Sequence, residues 1–168
     1  MDSVSSRPLS LALGNICPAQ WIAGCPYLKN LSVALKALDN PPRIILYGAS
    51  SDDSQKLLQG YVDETLVAPT HERKLAGLAF RLERRLGLPL GAGRREADFL
   101  RQHQVDLVFT ALDHGPGFNL PLVAWITDFQ HLHLPDMFSR ADIAARERAY
   151  RRTARRADRV VLSSHAAL

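Results

Sequence analysis

The sequence predicts an α/β protein whose Rossmann-like open parallel sheet carries helices on both faces. Short runs rich in Val, Ile and Leu alternate along the chain with longer segments of helical period. This alternation is typical of βα units that feed a parallel sheet. Helix-start and helix-stop residues fall where the alternation requires them: Pro26 suits a first helical turn, and "DNPP" at 39–42 ends the same helix.

The predicted elements follow the chain in order. The strands are Leu9–Gly14, Arg43–Tyr47, Glu64–Ala68, Asp106–Thr110, Leu122–Thr127 and Arg159–Ser163. The helices are Tyr27–Leu38, a short one at Ser50–Gln59, Lys74–Leu86, Arg95–His103 and Ala141–Ala157. We find no internal repeat and no low-complexity linker, so residues 1–168 form one domain. The last strand is followed by only the first turn of a helix, and we expect the chain to be truncated at its carboxyl end.

Composition limits the classes of function. With 168 residues and 46% hydrophobic residues, the chain can bury one core. No apolar run reaches the roughly 18 residues of a membrane span, and no signal peptide is evident, so we expect a cytoplasmic protein. Cys17 and Cys25 cannot form a four-thiolate metal site, and in a reducing compartment free thiols are expected. Most of the 21 Lys and Arg residues lie in the second half, which favours either a solvated basic face or an anionic partner.

Unusual polar and glycine residues follow the predicted strands. In open α/β sheets ligands bind outside the carboxyl ends of the strands, where loops and helix N-termini converge. The loops concerned are Asn15–Gly24, Gly48–Ser50, Asp113–Gly117, Thr127–His133 and Ser163–Ser164. Five loops at one edge predict a binding crevice.

The first loop, "NICPAQWIAGCPYLKNL", places Gly24 directly before a helix. Backbone N–H groups and the helix dipole can receive a phosphate at such a position. The loop is neither G-x-G-x-x-G nor a P-loop, which argues against a dinucleotide or ATP site. The alternative is that Gly24 only permits a tight turn.

The loop "TDFQHLHLP" at 127–135 has three interpretations. Asp128, His131 and His133 have donor atoms for zinc, but a zinc site needs about four ligands and no partner cluster occurs elsewhere. The loop could also be purely structural. The third interpretation, which we favour, is that Asp128 and His131 orient or deprotonate a ligand, since imidazole titrates near neutral pH and a carboxylate can select its tautomer.

Two longer stretches resemble a known family. "PLVAWITDFQHLHLPDMFS", followed by "RERAYRRTARRADRVVLSS", is similar to the N-terminal domain of retaining GT-B-fold glycosyltransferases of glycosyltransferase family four. The order is an apolar strand, an Asp-x-Gln-His-x-x-x-Pro loop, "Phe-Ser", a helix that ends in "Ala-Asp", and a strand that ends in "Ser-Ser". "QWIAGCPYLKNLSVALKAL" resembles the first glycine-rich loop and helix of that family.

The resemblance implies the N-terminal, acceptor-side half of a transferase that moves a sugar from a nucleotide-sugar donor to a glycan or lipid-linked acceptor, with retention of configuration. It needs no cofactor and no metal, and the nucleotide is held mainly by a C-terminal domain beyond Leu168. Without that domain, the chain alone is expected to be inactive.

The same resemblance assigns the site residues. Asp128 and His131 line the reaction centre. The donor- or acceptor-binding residues are Gly24, Cys25, Thr127, Gln130, Ser163 and Ser164. Two side chains depart from the family pattern. A second glycine is often found where Cys25 stands, which bears on donor contact, and proline or histidine is often found where Thr127 stands, which bears on a catalytic role at that position.

Other segments leave alternatives open. The helix "KLAGLAFRLERRLG" either packs its leucines on the sheet or lies against a membrane surface as a peripheral contact. The arginines of "RERAYRRTARRADR" are interrupted by acidic residues and lack an aromatic platform, so we expect no nucleic-acid partner. His114 is interpreted as a turn residue rather than a cleft residue. The rival functions are a non-catalytic glycan- or partner-binding domain and a metal-dependent hydrolase that uses Asp128, His131 and His133.

Overall fold

The computed structural model describes residues 7–16, 24–48, 56–67, 82, 87, 91–111 and 114–163. Within these ranges six strands form one sheet in which every neighbouring pair is parallel. The strands are β1 Ser10–Gly14, β2 Arg43–Gly48, β3 Glu64–Val67, β4 Leu107–Thr110, β5 Leu122–Ile126 and β6 Arg159–Leu162. Their order across the sheet is β3-β2-β1-β4-β5-β6. The predicted Rossmann-like α/β class is confirmed, and each predicted strand matches to within one residue at either end.

The described helices are α1 Gly24–Lys36, α2 Ala92–Gln102, α3 Gln130–His133 and α4 Arg140–Arg156, with a 3-10 turn at Pro135–Met137. Helix α1 begins three residues earlier than predicted, because Pro26 is tolerated inside the first turn, where an N–H group has no intrahelical partner. Residues 56–58 are helical, and the rest of the predicted helix 50–59 lies outside the described residues. So does the predicted helix 74–86, except Leu82. Among the helices of the described ranges, none has the length and apolar character needed to cross a bilayer.

Consecutive residues of the central strands alternate between two apolar clusters, one for each face of the sheet. Ala12 belongs to the cluster that contains Leu100 of α2, whereas Leu13 belongs to the cluster that contains Leu28 of α1. Each of these four side chains is fully buried. Because both faces are covered, most residues of the central strands are apolar, as expected of a parallel sheet.

An aspartate pairs with the first or second residue of the neighbouring strand at three places on the amino-terminal edge of the sheet. In each pair the aspartate N–H donates to the partner's carbonyl, and the partner's N–H donates to the aspartate carboxylate, at 2.8–2.9 Å. The pairs are Asp63 with Ile44, Asp106 with Ser10, and Asp158 with Leu122. These contacts satisfy strand-end N–H groups that would otherwise lack a partner. The amino-terminal edge is therefore stabilised by acidic side chains that have a structural role.

Candidate functional site at the carboxyl edge of the sheet

The strand order reverses between β1 and β4, which end side by side at Gly14 and Thr110. The chain runs outward from β1 to β3 and returns to the other side of β1 at β4. A Cβ atom on Gly14 would collide with the side chain of Thr110, so the two strand ends lie in direct contact. Ligands of open α/β sheets bind in the crevice that such a reversal opens. We therefore expect the loops after β1, β4 and β5 to line a binding site.

The first turn of α1 lies at this edge. Gly24 is buried and is the first residue of the helix, whereas the sequence prediction placed it before the helix. Cys25 is disulfide-bonded, so the prediction of free thiols is wrong for this residue. The sequence spacing alone could not distinguish a free thiol from a bonded one. Cys17, the other cysteine of the chain, lies outside the described residues.

Asp128 follows β5 in the loop at the carboxyl edge, and its side chain is 36% exposed. Its Oδ1 accepts the backbone N–H of Gln130 at 3.1 Å and lies 3.5 Å from Nη1 of Arg146 in α4. Its Oδ2 accepts the hydroxyl of Thr127 at 3.4 Å. The carboxylate is held on two sides and still reaches solvent, so it can contact a ligand without moving.

His131 is buried in α3, where 1% of the residue is exposed. Its Nε2 lies 3.3 Å from Oε1 of Glu147 in α4, and its ring meets Tyr150 edge-on at 5.5 Å between centroids. Two hydrogen bonds lower the pKa of Glu147: the larger effect comes from His131 and the next from Arg151. His131 therefore presents almost no surface to solvent in this conformation, and an influence of His131 on chemistry can also pass through its neighbours.

The other predicted site residues are distributed along the same edge. Thr127 is half-buried and Gln130 is exposed at the start of α3. Ser163 directly follows β6, and its Oγ accepts the indole N–H of Trp125 at 3.0 Å. Ser164 lies outside the described residues. The structure thus brings Thr127, Asp128 and Gln130 together in one loop.

A buried polar cluster at the carboxyl edge was not predicted. The hydroxyl of Tyr47, near the end of β2, donates to Oε1 of Glu96 at 2.7 Å. Oε2 of Glu96 lies 3.2 Å from Nδ1 of His114, and both side chains are about 5% exposed or less. Burial, and then the negative charge of Glu96, raise the pKa of Tyr47.

His114 is therefore packed rather than placed in an open turn, as its ring also stacks on Phe118 at 4.4 Å. A sequence signal existed for this cluster. Ala92, Glu96 and Leu100 recur every four residues, which puts Glu96 on the apolar face of α2.

No group of three or more His, Cys, Asp or Glu side chains within the described ranges is arranged to hold a metal ion. His131 is buried while His133, two residues away, is exposed. A shallow depression lined by Lys56, Asp63 and Thr65 lies at the beginning of β3, away from the carboxyl edge.

Comparisons with models of protein families, with curated proteins and with solved structures find no match for this chain.

Proposed function

We propose that this chain is the N-terminal, acceptor-side domain of a retaining glycosyltransferase, which transfers a sugar from a nucleotide-sugar donor to a glycan or lipid-linked acceptor. The observation that carries the proposal is the position of the loop 127–139. This loop has the pattern that resembles glycosyltransferase family four, and it follows β5 at the edge of the sheet where ligands of such folds bind. Fold alone would not support this choice, since unrelated functions share the same architecture.

In this proposal Asp128 is the side chain that contacts the reacting groups most closely. Its carboxylate is paired with Arg146 and remains accessible. Such a group can accept a hydrogen bond from a sugar hydroxyl and orient it. Proton removal from the acceptor can then be completed by the departing diphosphate, so the proposal requires no protein nucleophile.

The test is a transfer assay on the full-length gene product that contains this chain, with a panel of uridine-, adenosine- and guanosine-diphosphate sugars. We expect Asp128→Asn to lower kcat by on the order of 100-fold, because an amide offers one acceptor oxygen where a carboxylate offers two. The matched control is Asp136→Asn, since Asp136 is exposed in the 3-10 turn of the same loop. Equal turnover in both variants would contradict the role of Asp128, and no transfer by the unmodified protein would contradict the proposed function.

A non-catalytic glycan-binding domain is the second candidate function. The observation in its favour is that Asp128 and His131 both contact α4 residues, so each already has a structural partner. Binding of glycans without turnover of any donor in the same panel would support this alternative.

The proposal includes peripheral contact with a membrane surface. Leu132, Leu134 and Met137 are 54%, 51% and 75% exposed in one short segment. Helix α4 follows this segment and has exposed arginines at 140, 148, 151 and 155. Apolar side chains beside cationic ones are the combination that binds anionic lipid surfaces.

Vesicle sedimentation tests this contact. We expect the protein to sediment with phosphatidylglycerol vesicles at low salt, and Met137→Ser to reduce the bound fraction several-fold. Leu57→Ser is the matched control, because Leu57 is 59% exposed in a different part of the chain. Equal losses in both variants, or no sedimentation, would contradict the contact.

A further inference from the structure

Helix α4 meets the loop after β5 with three side chains, those of Arg146, Glu147 and Tyr150. Successive helical residues are about 100° apart, so position 150 falls between positions 146 and 147 when viewed along the axis. The Tyr150 ring packs edge-on against both Phe129 and His131, with 5.5 Å between centroids in each case. Arg146 and Glu147 therefore flank an aromatic contact that fixes the distance between helix and loop.

Glu147 determines which ring nitrogen of His131 carries hydrogen. A carboxylate can only accept, so the contact of 3.3 Å between its Oε1 and Nε2 requires a hydrogen on Nε2. The other oxygen of Glu147 accepts from Nη2 and Nε of Arg151, at 3.2 and 3.3 Å. These hydrogen bonds lower the pKa of Glu147, which keeps it ionised at neutral pH. In a neutral His131 ring Nδ1 is then the acceptor, and Nδ1 is buried without a hydrogen-bond partner among the described residues.

Arg146 forms an ion pair with Asp128, the other side chain predicted to line the reaction centre. Its Nη1 lies 3.5 Å from Oδ1 of Asp128, and its guanidinium group stacks over the ring of Phe138 at 4.7 Å. Stacking limits the positions that the long side chain can adopt, so the positive charge stays beside the carboxylate. Two consecutive residues of one helix therefore contact the two side chains predicted to line the reaction centre.

We propose that Arg146 and Glu147 are positioning residues: Glu147 imposes the Nε2–H tautomer on His131, and Arg146 sets the orientation of the Asp128 carboxylate. The consequence for catalysis rests on the proposed function, whereas the tautomer of His131 does not. Neither residue needs to touch the substrate. Each acts through the side chain that it holds, as carboxylates do when they orient imidazole rings elsewhere.

The first experiment measures the His131 tautomer by long-range ¹H–¹⁵N correlation NMR on the histidine-labelled chain, with His131→Gln used for assignment. We expect hydrogen on Nε2 in the unmodified protein and in Glu147→Gln, whose amide oxygen can still accept. Glu147→Met has a similar length, is a good helix former and offers no acceptor, so we expect it to lose this preference. A hydrogen on Nδ1 in the unmodified protein, or an unchanged tautomer in Glu147→Met, would overturn the assignment.

The second experiment compares kcat and KM in the full-length transferase. We expect Glu147→Met and Arg146→Gln to lower kcat by on the order of 100-fold through misplacement of the reacting groups, with the donor KM unchanged. Glu147→Gln should restore most of the activity. Arg94→Gln is the matched control for Arg146, because Arg94 is an exposed helical arginine of α2.

The two experiments separate the two proposals. Inactive unmodified protein with the expected tautomer would reject the transferase function and leave the positioning contact in place. Full activity in Glu147→Met would reject the positioning role and leave the transferase function in place.

Discussion

At the level of single residues, the sequence located the loop that contains Asp128 and His131 but could not separate their environments. Asp128 lies where the pattern predicts, in an accessible position after β5. His131 is buried because α4 supplies Glu147 and Tyr150, which lie 16 and 19 residues further along the chain. A contact over such a separation depends on how the helix packs, and spacing within the loop does not reveal it. Direct contact of His131 with a ligand therefore stays a prediction.

The buried cluster of Tyr47, Glu96 and His114 was missed for a related reason. Each residue alone has an ordinary explanation: a strand tyrosine, a helix glutamate and a turn histidine. Only the order of the strands brings β2, α2 and the loop after β4 to one place. A glutamate on an apolar helix face was the one available signal, because buried carboxylates need a partner.

The close contact between Gly14 and Thr110 leads to a prediction about packing alone. Gly14→Ala should lower the free energy of unfolding by roughly 1–3 kcal/mol, because the new Cβ atom would overlap the Thr110 side chain. Urea unfolding of Gly14→Ala, Thr110→Ala and the double variant measures it. The double variant should lose less than the sum of the two single losses, since Thr110→Ala removes the nearest atom. Additive losses would show that this contact is not the cause.

At the level of secondary structure, the strands were predictable because their apolar runs are short and uninterrupted. Leu11, Leu13, Ile44, Ile45 and Leu46 are buried at consecutive or alternate positions, with both faces of the sheet covered. Helix α3 was not predicted, because four residues are too few to establish a helical period. The Asp128 carboxylate accepts the N–H of Gln130, the first residue of α3, while the N-cap residue Phe129 makes no side-chain capping hydrogen bond.

Asp106, at the amino-terminal edge of the sheet, makes stability depend on pH. The hydrogen bond from Arg7 lowers the pKa of Asp106, and the N–H of Ser10 adds to this effect against the opposing effect of burial. A carboxylate whose pKa is depressed by folding stabilises the protein fully above its unfolded pKa of about 3.9, and this contribution is lost as the pH falls toward the folded value. We therefore expect the unmodified protein to lose stability more steeply than Asp106→Asn between about pH 5 and pH 3.

Urea unfolding at several pH values measures this difference. Asp39→Asn is the control, because Asp39 is exposed in the turn after α1. An acid dependence in Asp106→Asn as steep as in the unmodified protein would contradict the structural role of Asp106.

At the level of the whole molecule, the sequence predicted a parallel sheet but not the order of its strands. Right-handed crossovers restrict the arrangements without selecting one. In the observed order the reversal lies between β1 and β4, and the carboxyl ends of all six parallel strands lie at one edge of the sheet. The glycosyltransferase assignment is of a different kind, because it rests on a resemblance of local sequence that the architecture accommodates and does not require.

The measurement that tests this assignment most directly is the anomeric configuration of the product formed by the full-length protein. ¹H NMR of the reaction, with the nucleotide sugar that the panel identifies, reads the configuration of the new glycosidic bond in the product. The account predicts transfer to an acceptor with the anomeric configuration of the donor retained, and loss of this signal in Asp128→Asn but not in Asp136→Asn. An inverted product, or donor that remains intact with every acceptor tried, would contradict it.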